Sequence, residues 1–283
     1  MLELSTVPTP EQRTQWERDG YLVLRGFIPP QEVSAMIAHF MAMHAAGVPG
    51  QYEPPAWKDC DGDPLKRYPR ILQPHRFDAF SKDSMIDARL EPVLRALFGE
   101  EPLAAQSMLY FKPPGARGQA LHQDNLYLRV TPGTCIAAWL ALDGADEGNG
   151  GMFVVPGSQT TDLQCPHVAD MSVSFTSHEV DVPSGMATVP TDLAPGDALF
   201  FNGSLIHGSY PNTSTNRFRR SFICHYVPNS TREMAHYYYP LHTFSGTALT
   251  RDVAEGQGGV CGPEQWAALN VSSAKPTRES LIH

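Results

Sequence analysis

Residues 195–209 read PGDALFFNGSLIHGS, a tight turn followed by two short apolar runs. Pro-Gly-Asp is a strong turn signal, and the apolar residues behind it are typical of a strand. Similar runs, separated by turn residues, follow one another along the chain after Glu101. They predict strands at residues 107–111, 120–130, 134–142, 152–156, 198–201, 204–209 and 220–227. A series of short strands of this kind favours a β-sandwich or barrel.

The first hundred residues have a different pattern, which predicts helices. Thr9 can cap a helix that has Pro10 at its first position and Gln12 three residues beyond the cap, and that ends near Gly20. Apolar spacing predicts further elements here: a strand at residues 21–27 and helices at 33–41 and 90–97. We therefore predict an α+β, mainly β fold with N-terminal helices packed outside the sheets.

The chain is predicted to form a single domain. Of its 283 residues 42% are hydrophobic and 18% are charged, which allows a large core and argues against disorder. Neither an internal repeat nor a linker divides it. We expect a helical flank over residues 1–100, with a long lid-like loop at 47–80, a β core over 101–230, and a C-terminal extension over 231–283 whose end is frayed.

Composition excludes several classes of protein. The net charge of −9 and the absence of any Lys/Arg block longer than two residues argue against a nucleic-acid partner. Because no apolar stretch approaches membrane-spanning length and the N-terminus does not resemble a signal peptide, we expect a cytoplasmic protein without a membrane span. The five cysteines are odd in number and widely spaced, so we expect reduced thiols and no structural disulfide.

Two histidines and an aspartate form the first candidate site. His122 and Asp124 are two residues apart in a predicted strand, so their side chains should lie on one face. His207 ends another predicted strand. Each element also has a non-functional interpretation. His122 and Asp124 could be a surface pair, and His207 could be a hydrogen-bonded histidine of the core. Together they complete the two-histidine, one-carboxylate triad that binds Fe(II) and leaves coordination positions open.

An arginine cluster, RFRRS at residues 217–221, forms the second candidate site. A guanidinium matches a carboxylate with two hydrogen bonds, and Ser221 shares a strand face with Arg219 and adds a hydroxyl donor. This pair is suited to the distal carboxylate of a dicarboxylic cosubstrate. Arg217 or Arg220 could take the role instead, and a solvated strand end is the plain alternative.

The motifs, in this order, resemble the phytanoyl-CoA dioxygenase family, a branch of the oxygenases that depend on Fe(II) and 2-oxoglutarate. The resemblance covers most of the chain. It is carried by HQD at 122–124, HGS at 207–209 and FRRS at 218–221, and also by DGYLVL at 19–24, FKPPG at 111–115, EGNGG at 147–151 and VPGS at 155–158.

The resemblance implies a double-stranded β-helix, also called a jelly roll and cupin-like, with iron at its open end. It implies that His122, Asp124 and His207 bind the metal and that Arg219 and Ser221 bind the C5 carboxylate of 2-oxoglutarate. Two further positions, Lys112 and Trp139, match family contacts to the cosubstrate, although a solvated strand residue and a core aromatic are equally good interpretations. Dioxygen is the third reactant.

The function expected from the resemblance is hydroxylation of an unactivated C–H bond in a small or medium organic molecule, with release of succinate and CO2. Asp124 disfavours halogenation, because halogenating relatives have Ala or Gly there and bind chloride in the vacated position. The alternatives are a cupin-like metalloenzyme that does not use 2-oxoglutarate and a non-catalytic jelly-roll binding module. We expect a monomer or homodimer acting on a small molecule.

Several other residues are left outside the predicted site. In a strand over 120–130, Tyr127 and Arg129 would lie on the face opposite the metal ligands. His225 shows no ligand spacing. The loop at 47–80 could cap the pocket with its basic and aromatic residues, or simply pack against helices; these residues are Trp57, Lys66, Arg67, Arg70, His75 and Arg76.

Overall fold

The computed structural model describes residues 7–48, 50–51, 60–255, 259–262 and 264–266. Its helices are α1 (Pro10–Asp19), α2 (Pro30–Ala46), α3 (Pro64–Arg67), α4 (Ala79–Met85), α5 (Leu90–Phe98) and α6 (Asn125–Leu128). Its strands are β1 (Tyr21–Leu24), β2 (Ile71–Leu72), β3 (Pro102–Lys112), β4 (Gln119–His122), β5 (Ile136–Ala141), β6 (Met152–Val154), β7 (His167–Val168), β8 (His178–Glu179), β9 (Val189–Thr191), β10 (Ala198–Asn202), β11 (His207–Ser209), β12 (Arg219–Pro228), β13 (Glu233–Met234), β14 (Leu241–His242), β15 (Ala248–Leu249) and β16 (Asp252–Val253). None of the described helices is both long and apolar enough to cross a membrane.

Two antiparallel sheets form the core. The larger has the order β1-β10-β5-β12-β3-β14-β15, with β2 also paired to β3, and the smaller has the order β4-β11-β6-β9. Side chains of both sheets, among them Trp139, Ile223 and Met152, pack in one buried cluster. The fold is a double-stranded β-helix with helices outside it, so the predicted fold class is confirmed.

The helices cover the outer face of the larger sheet. Successive residues of a strand point to opposite faces, and on β12 Phe222 and Tyr226 belong to the outer cluster while Ile223 lies between the sheets. Phe40 of α2 is fully buried and stacks on Phe222 with 5.1 Å between ring centroids. This apolar layer packs against the face of the larger sheet that points away from the smaller sheet.

The predicted start and end of the first helix are confirmed. The Thr9 side chain accepts a hydrogen bond from the Gln12 backbone N–H, the Gln12 side chain accepts one from the Thr9 N–H, and Gly20 closes α1 with a φ of 77°. The other two predicted helices lie within α2 and α5.

The segment before residue 101 also contributes to the larger sheet. β1 pairs with β10 along its whole length, from Tyr21 opposite Phe201 to Leu24 opposite Ala198. The helical flank is therefore tied to the β core by backbone hydrogen bonds as well as by side-chain packing.

The strand predicted over residues 120–130 is wrong beyond His122. β4 ends there, Asp124 adopts a helical conformation, and the chain turns through α6. The Leu126 and Tyr127 N–H groups donate to the carbonyls of Gln123 and Asp124, and the Asn125 N–H donates to Gly203. Alternating apolar residues at 126, 128 and 130 imitate a strand, but Asp-Asn favours a turn at this point. The strand argument that removed Tyr127 from the site therefore fails.

The loop predicted at 47–80 contains short elements where it is described. These are α3, a 3-10 turn over Pro74–Arg76, and β2, which pairs with Leu109 and Met108 of β3. Lys66 pairs with Asp61, and His75 is buried against Ser107. Trp57 and the end of the C-terminal extension, residues 267–283, lie outside the described residues.

The expectation of five reduced thiols is wrong. Cys165 and Cys261 form a disulfide across 96 residues of sequence, while Cys60, Cys135 and Cys224 are free. The 3-10 turn at Gly259–Cys261 returns to the loop that holds Cys165, a long-range approach that spacing along the chain does not reveal. The cytoplasmic location loses the support that reduced thiols gave it.

Replacing Phe40 by Ala should destabilise the protein strongly. The change opens a cavity behind the larger sheet, and such truncations cost about 3–5 kcal/mol of unfolding free energy. Urea denaturation followed by circular dichroism measures the loss. Phe77, which is 51% exposed, is the matched control, and Phe77→Ala should change the unfolding free energy by less than about 0.5 kcal/mol. Equal losses in the two variants would contradict this account of the packing.

Candidate active site

Three side chains that could hold a metal ion meet at one end of the smaller sheet. His122 ends β4, His207 begins β11, and the two are opposite each other in the strand register. Oδ1 of Asp124 lies 3.5 Å from His122 Nε2 and 3.7 Å from His207 Nε2. One ligand atom from each residue lies within 4.8 Å of the other two, and all three residues are buried.

Backbone carbonyls determine which ring nitrogen of each histidine faces the site. Nδ1 of His122 donates to Ala120 O at 2.9 Å, and Nδ1 of His207 donates to Leu205 O at 2.9 Å. Since a carbonyl only accepts, Nδ1 carries the proton and Nε2 offers its lone pair to a metal. Burial, with His122 nearby, lowers the pKa of His207 to about 4 and keeps that ring neutral.

A third histidine holds the aspartate. Nε2 of His225, on β12, donates to Asp124 Oδ2 at 2.8 Å and leaves Oδ1 for the metal side. Burial acts to raise the pKa of Asp124, but the surrounding histidines, with the hydrogen bond from His225 among the causes, hold that pKa well below its usual range. The carboxylate is thus ionised and fixed in orientation.

This donor set fits Fe(II). Two imidazole nitrogens and one carboxylate oxygen are the donor set that binds Fe(II) in this class of site, and they would leave other coordination positions open. A pocket of about 390 Å³, a volume that includes its opening to solvent, adjoins the triad and has Trp139 and Arg219 in its wall. The space and the donors therefore allow both a metal and a bidentate organic ligand.

Arg219 lies in the same cavity without an acidic partner. Its Nε donates to Gly150 O at 3.0 Å, its Nη1 donates to Ser221 Oγ at 3.0 Å, and its guanidinium lies 5.3 Å from the centre of the Trp139 ring. Only 2% of Arg219 is exposed, and burial lowers its pKa to about 10. Among the described residues no carboxylate lies within ion-pair distance of it, which is the arrangement expected of an anion-binding arginine.

The other two arginines of the cluster are neutralised. Arg220 makes two hydrogen bonds to Asp143, at 2.7 and 2.8 Å, and exposed Arg217 makes two to Asp146. Of the three, Arg219 is the one available for a cosubstrate carboxylate.

Lys112 is buried but contacts the cavity through another residue. Its Nζ donates to Ser209 Oγ and Tyr210 O, each at 2.7 Å, and Ser209 lines the cavity. Gly150 has a φ of 86°, and a Cβ there would collide with the Lys112 side chain. The absence of a side chain at Gly150 therefore leaves room for the Lys112 side chain, and the Gly150 carbonyl accepts the hydrogen bond from Arg219.

His225 and Tyr127 are the residues that sequence reasoning missed. His225 shares a strand face with Arg219 and Ser221, so the alternation that linked those two could also have found it. Tyr127 was lost through the incorrect strand, since α6 turns it toward a cavity that also contains His122 and Asp124.

Two histidines and an aspartate next to a buried arginine, inside a jelly roll, are the arrangement of one class of protein: the oxygenases that depend on Fe(II) and 2-oxoglutarate. The fold agrees with solved structures of this class. EctD from S. alaskensis, solved with 2-oxoglutarate and 5-hydroxyectoine, superposes with a TM-score of 0.61 at 24% identity over 81% of this chain and 79% of that one.

Within that class the chain belongs to the phytanoyl-CoA dioxygenase family, whose sequence model matches residues 16–221. Phytanoyl-CoA dioxygenase 1 of Oryza sativa is 32% identical over 141 residues, 50% of each chain. A probable phytanoyl-CoA dioxygenase of Caenorhabditis elegans is 28% identical over 241 residues, 77% of this chain and 74% of the relative. The match thus spans half of the rice protein and about three quarters of the nematode one.

Removing the His225 donor should weaken metal binding. In His225→Leu, Asp124 Oδ2 loses its partner in a buried site, and loss of such a contact typically costs about 10–100-fold in metal affinity. His225→Gln keeps an N–H donor and should stay close to wild type. Competition with a chromophoric chelator for Mn(II) measures the affinities, and circular dichroism checks folding. A folded Leu variant that binds Mn(II) as tightly as wild type would show that His225 does not position Asp124.

Proposed function

We propose that this protein uses Fe(II), 2-oxoglutarate and dioxygen to hydroxylate an unactivated C–H bond of a small or medium organic molecule, releasing succinate and CO2. The observation that carries the proposal is the buried guanidinium of Arg219, which has no acidic partner among the described residues and shares a cavity with the triad. A dicarboxylate that binds the metal at one end needs such a cation at the other.

The residues of the cavity have distinct roles in this proposal. His122, Asp124 and His207 hold the iron, which supplies the oxidising chemistry together with dioxygen and 2-oxoglutarate. Arg219 binds the C5 carboxylate by two hydrogen bonds, with Ser221 as an additional donor.

Two further residues support the cosubstrate. Trp139 forms the wall on which the Arg219 guanidinium lies. Lys112 acts through Ser209, which it holds at the cavity wall. Both roles orient the ligand and keep water away from it.

Hydroxylation is favoured over halogenation because Asp124 is present and fixed. Its carboxylate fills the position that a halide would need, and His225 keeps it directed there. In a cupin-like metalloenzyme that does not use 2-oxoglutarate, Arg219 would stay buried without a counter-charge. A non-catalytic binding module needs neither the triad nor Arg219. The site therefore supports the first function best.

The organisation around the site stays a prediction. We expect one catalytic domain made of a helical flank (1–100), a jelly-roll core (101–230) and a C-terminal extension (231–283). We also expect a monomer or homodimer and a cytoplasmic location. A small-molecule substrate agrees with the enclosed cavities of the described residues.

An anaerobic titration with 2-oxoglutarate tests the proposal. Wild-type protein loaded with Fe(II) should develop the weak visible charge-transfer band of the bound 2-oxo acid, and His122→Ala should not. Arg219→Ala should need about 10–100-fold more 2-oxoglutarate, because a charge-assisted pair worth about 1.5–3 kcal/mol is lost.

Arg217→Ala is the matched control, since Arg217 is an exposed arginine of the same cluster that pairs with Asp146. It should titrate like wild type. If wild-type protein shows no band at saturating iron and 2-oxoglutarate, the proposal fails and the cupin-like enzyme or the binding module takes its place.

A further inference from the structure

A second pocket opens beside the one that has Arg219 in its wall. Its volume is about 730 Å³, opening to solvent included. His122 and Asp124 line both pockets, whereas Tyr127 and His178 line the second pocket and not the first. A change at Tyr127 or His178 would therefore alter the second pocket without touching the wall that carries Arg219.

One tryptophan packs against both Tyr127 and His178. The ring centroid of Trp266 lies 5.2 Å from that of His178 and 6.4 Å from that of Tyr127. Aromatic pairs at these separations are favourable contacts. His178 is buried, and its Nε2 has no hydrogen-bond partner among the described residues. Packing by Trp266 therefore helps to set the position of this ring in the pocket wall.

Trp266 belongs to a segment that a disulfide joins to the jelly roll. We call residues 259–262 and 264–266 the tethered segment. Its 3-10 turn, Gly259–Cys261, ends at the cysteine that bonds to Cys165. Because Trp266 follows this cysteine closely in the chain, the covalent bond keeps the tryptophan near the wall of the second pocket.

Hydrogen bonds fix the other end of the disulfide. The Gln164 N–H donates to Gln123 Oε1 at 2.9 Å, and the Gln164 side chain exchanges two hydrogen bonds with the backbone of Asp181, at 3.0 and 3.1 Å. Directly after Cys165, β7 pairs with β8, the strand that carries His178. The disulfide therefore joins the tethered segment to the same part of the structure that positions His178.

We propose that the Cys165–Cys261 disulfide is a redox-sensitive clamp on the second pocket. While it is intact, it holds Trp266 against His178 and Tyr127. A dithiol reductant breaks the S–S bond: the disulfide takes up two electrons and two protons and becomes two thiols, and the dithiol becomes a disulfide.

Reduction then lets the tethered segment leave the wall, and the second pocket opens while the first pocket keeps its shape. This inference goes beyond the proposed function. For the proposed oxygenase, a substrate in the second pocket would lose part of its binding surface on reduction.

Diethyl pyrocarbonate reports the exposure of His178 directly. It modifies neutral imidazoles, and burial lowers the pKa of His178, so this ring is in the reactive form at neutral pH. Mass spectrometry of the digested protein gives the initial rate of modification at each histidine. Fe(II)-loaded protein is labelled anaerobically with the disulfide intact, and again after reduction with dithiothreitol and removal of the reductant.

Reduction should raise the rate at His178 about tenfold, because the ring loses its aromatic cover and the wall opens locally. His75 is the internal control and should stay slow in both forms, since it is buried against Ser107. Cys261→Ser should label like reduced protein without any reductant. Cys60→Ser is the matched control, because Cys60 lies outside the disulfide, and it should label like oxidised wild type.

Substitution of Trp266 tests the contact itself. Trp266→Ala should raise the rate at His178 with the disulfide intact, and Trp266→Phe, which keeps an aromatic ring, should stay within about twofold of wild type. Gln265→Ala changes an exposed residue of the tethered segment and should label like wild type.

Three labelling results would overturn the inference: equal rates at His178 in oxidised and reduced protein, an equal rise at His75, or an unchanged rate at His178 in Trp266→Ala. The charge-transfer band with 2-oxoglutarate is measured on the same samples. It should be equal in the oxidised and reduced forms, and its loss on reduction would also overturn the inference. Absence of the band in oxidised wild type would instead overturn the proposed function, and the rates at His178 would still decide this inference.

Discussion

The geometry of the site depends on the register of β12. This strand is paired on both sides, with β3 and with β5, so it cannot slide without breaking two ladders. Because side chains alternate, one face of it carries Arg219, Ser221, Ile223 and His225 toward the interior. Arg219, the proposed anchor of the cosubstrate, and His225, which holds Asp124, thus lie on the same strand, and the backbone fixes the distance between them.

The interior of the jelly roll holds two basic side chains whose charged forms are destabilised by burial. Arg219 and Lys112 are both buried, and burial together with the nearby Arg219 holds the pKa of Lys112 well below its usual range. Burying a charge without a partner is unfavourable, so an anion bound in this pocket would offset part of the cost of burying the basic side chains. The neighbouring Arg217 and Arg220 already form ion pairs with aspartates, so an added anion would not be stabilised by them in the same way. The proposed binding of a dicarboxylate therefore depends on Arg219, which has no acidic partner among the described residues.

Local chemistry in the sequence predicts much of this structure, and long-range contacts account for the rest. The capping box at Thr9, the apolar face of α5 and the turn at 195–197 are local signals, and each gives an element close to the predicted one. The disulfide between Cys165 and Cys261 and the hydrogen bond from His225 to Asp124 join residues about a hundred positions apart, and periodicity does not report such contacts. The strand predicted through residue 130 is wrong because the apolar residues alternate as they would in a strand, whereas the chain turns into a helix at Asp124 and Asn125.

That turn links the triad to the second pocket, which shares His122 and Asp124 with the first and has Tyr127 in its wall. In a continuous strand Asp124 would lie beside His122, but Tyr127 would point away from both. α6 begins directly after Asp124, and the Tyr127 N–H donates to the Asp124 carbonyl at 3.0 Å, so one helical turn brings the tyrosine ring to the wall of the second pocket. The Asn125 side chain accepts from the Val130 N–H at 3.0 Å and holds the turn closed. The same few residues therefore place both Asp124 of the triad and one wall of the second pocket, and a change in this turn would move both.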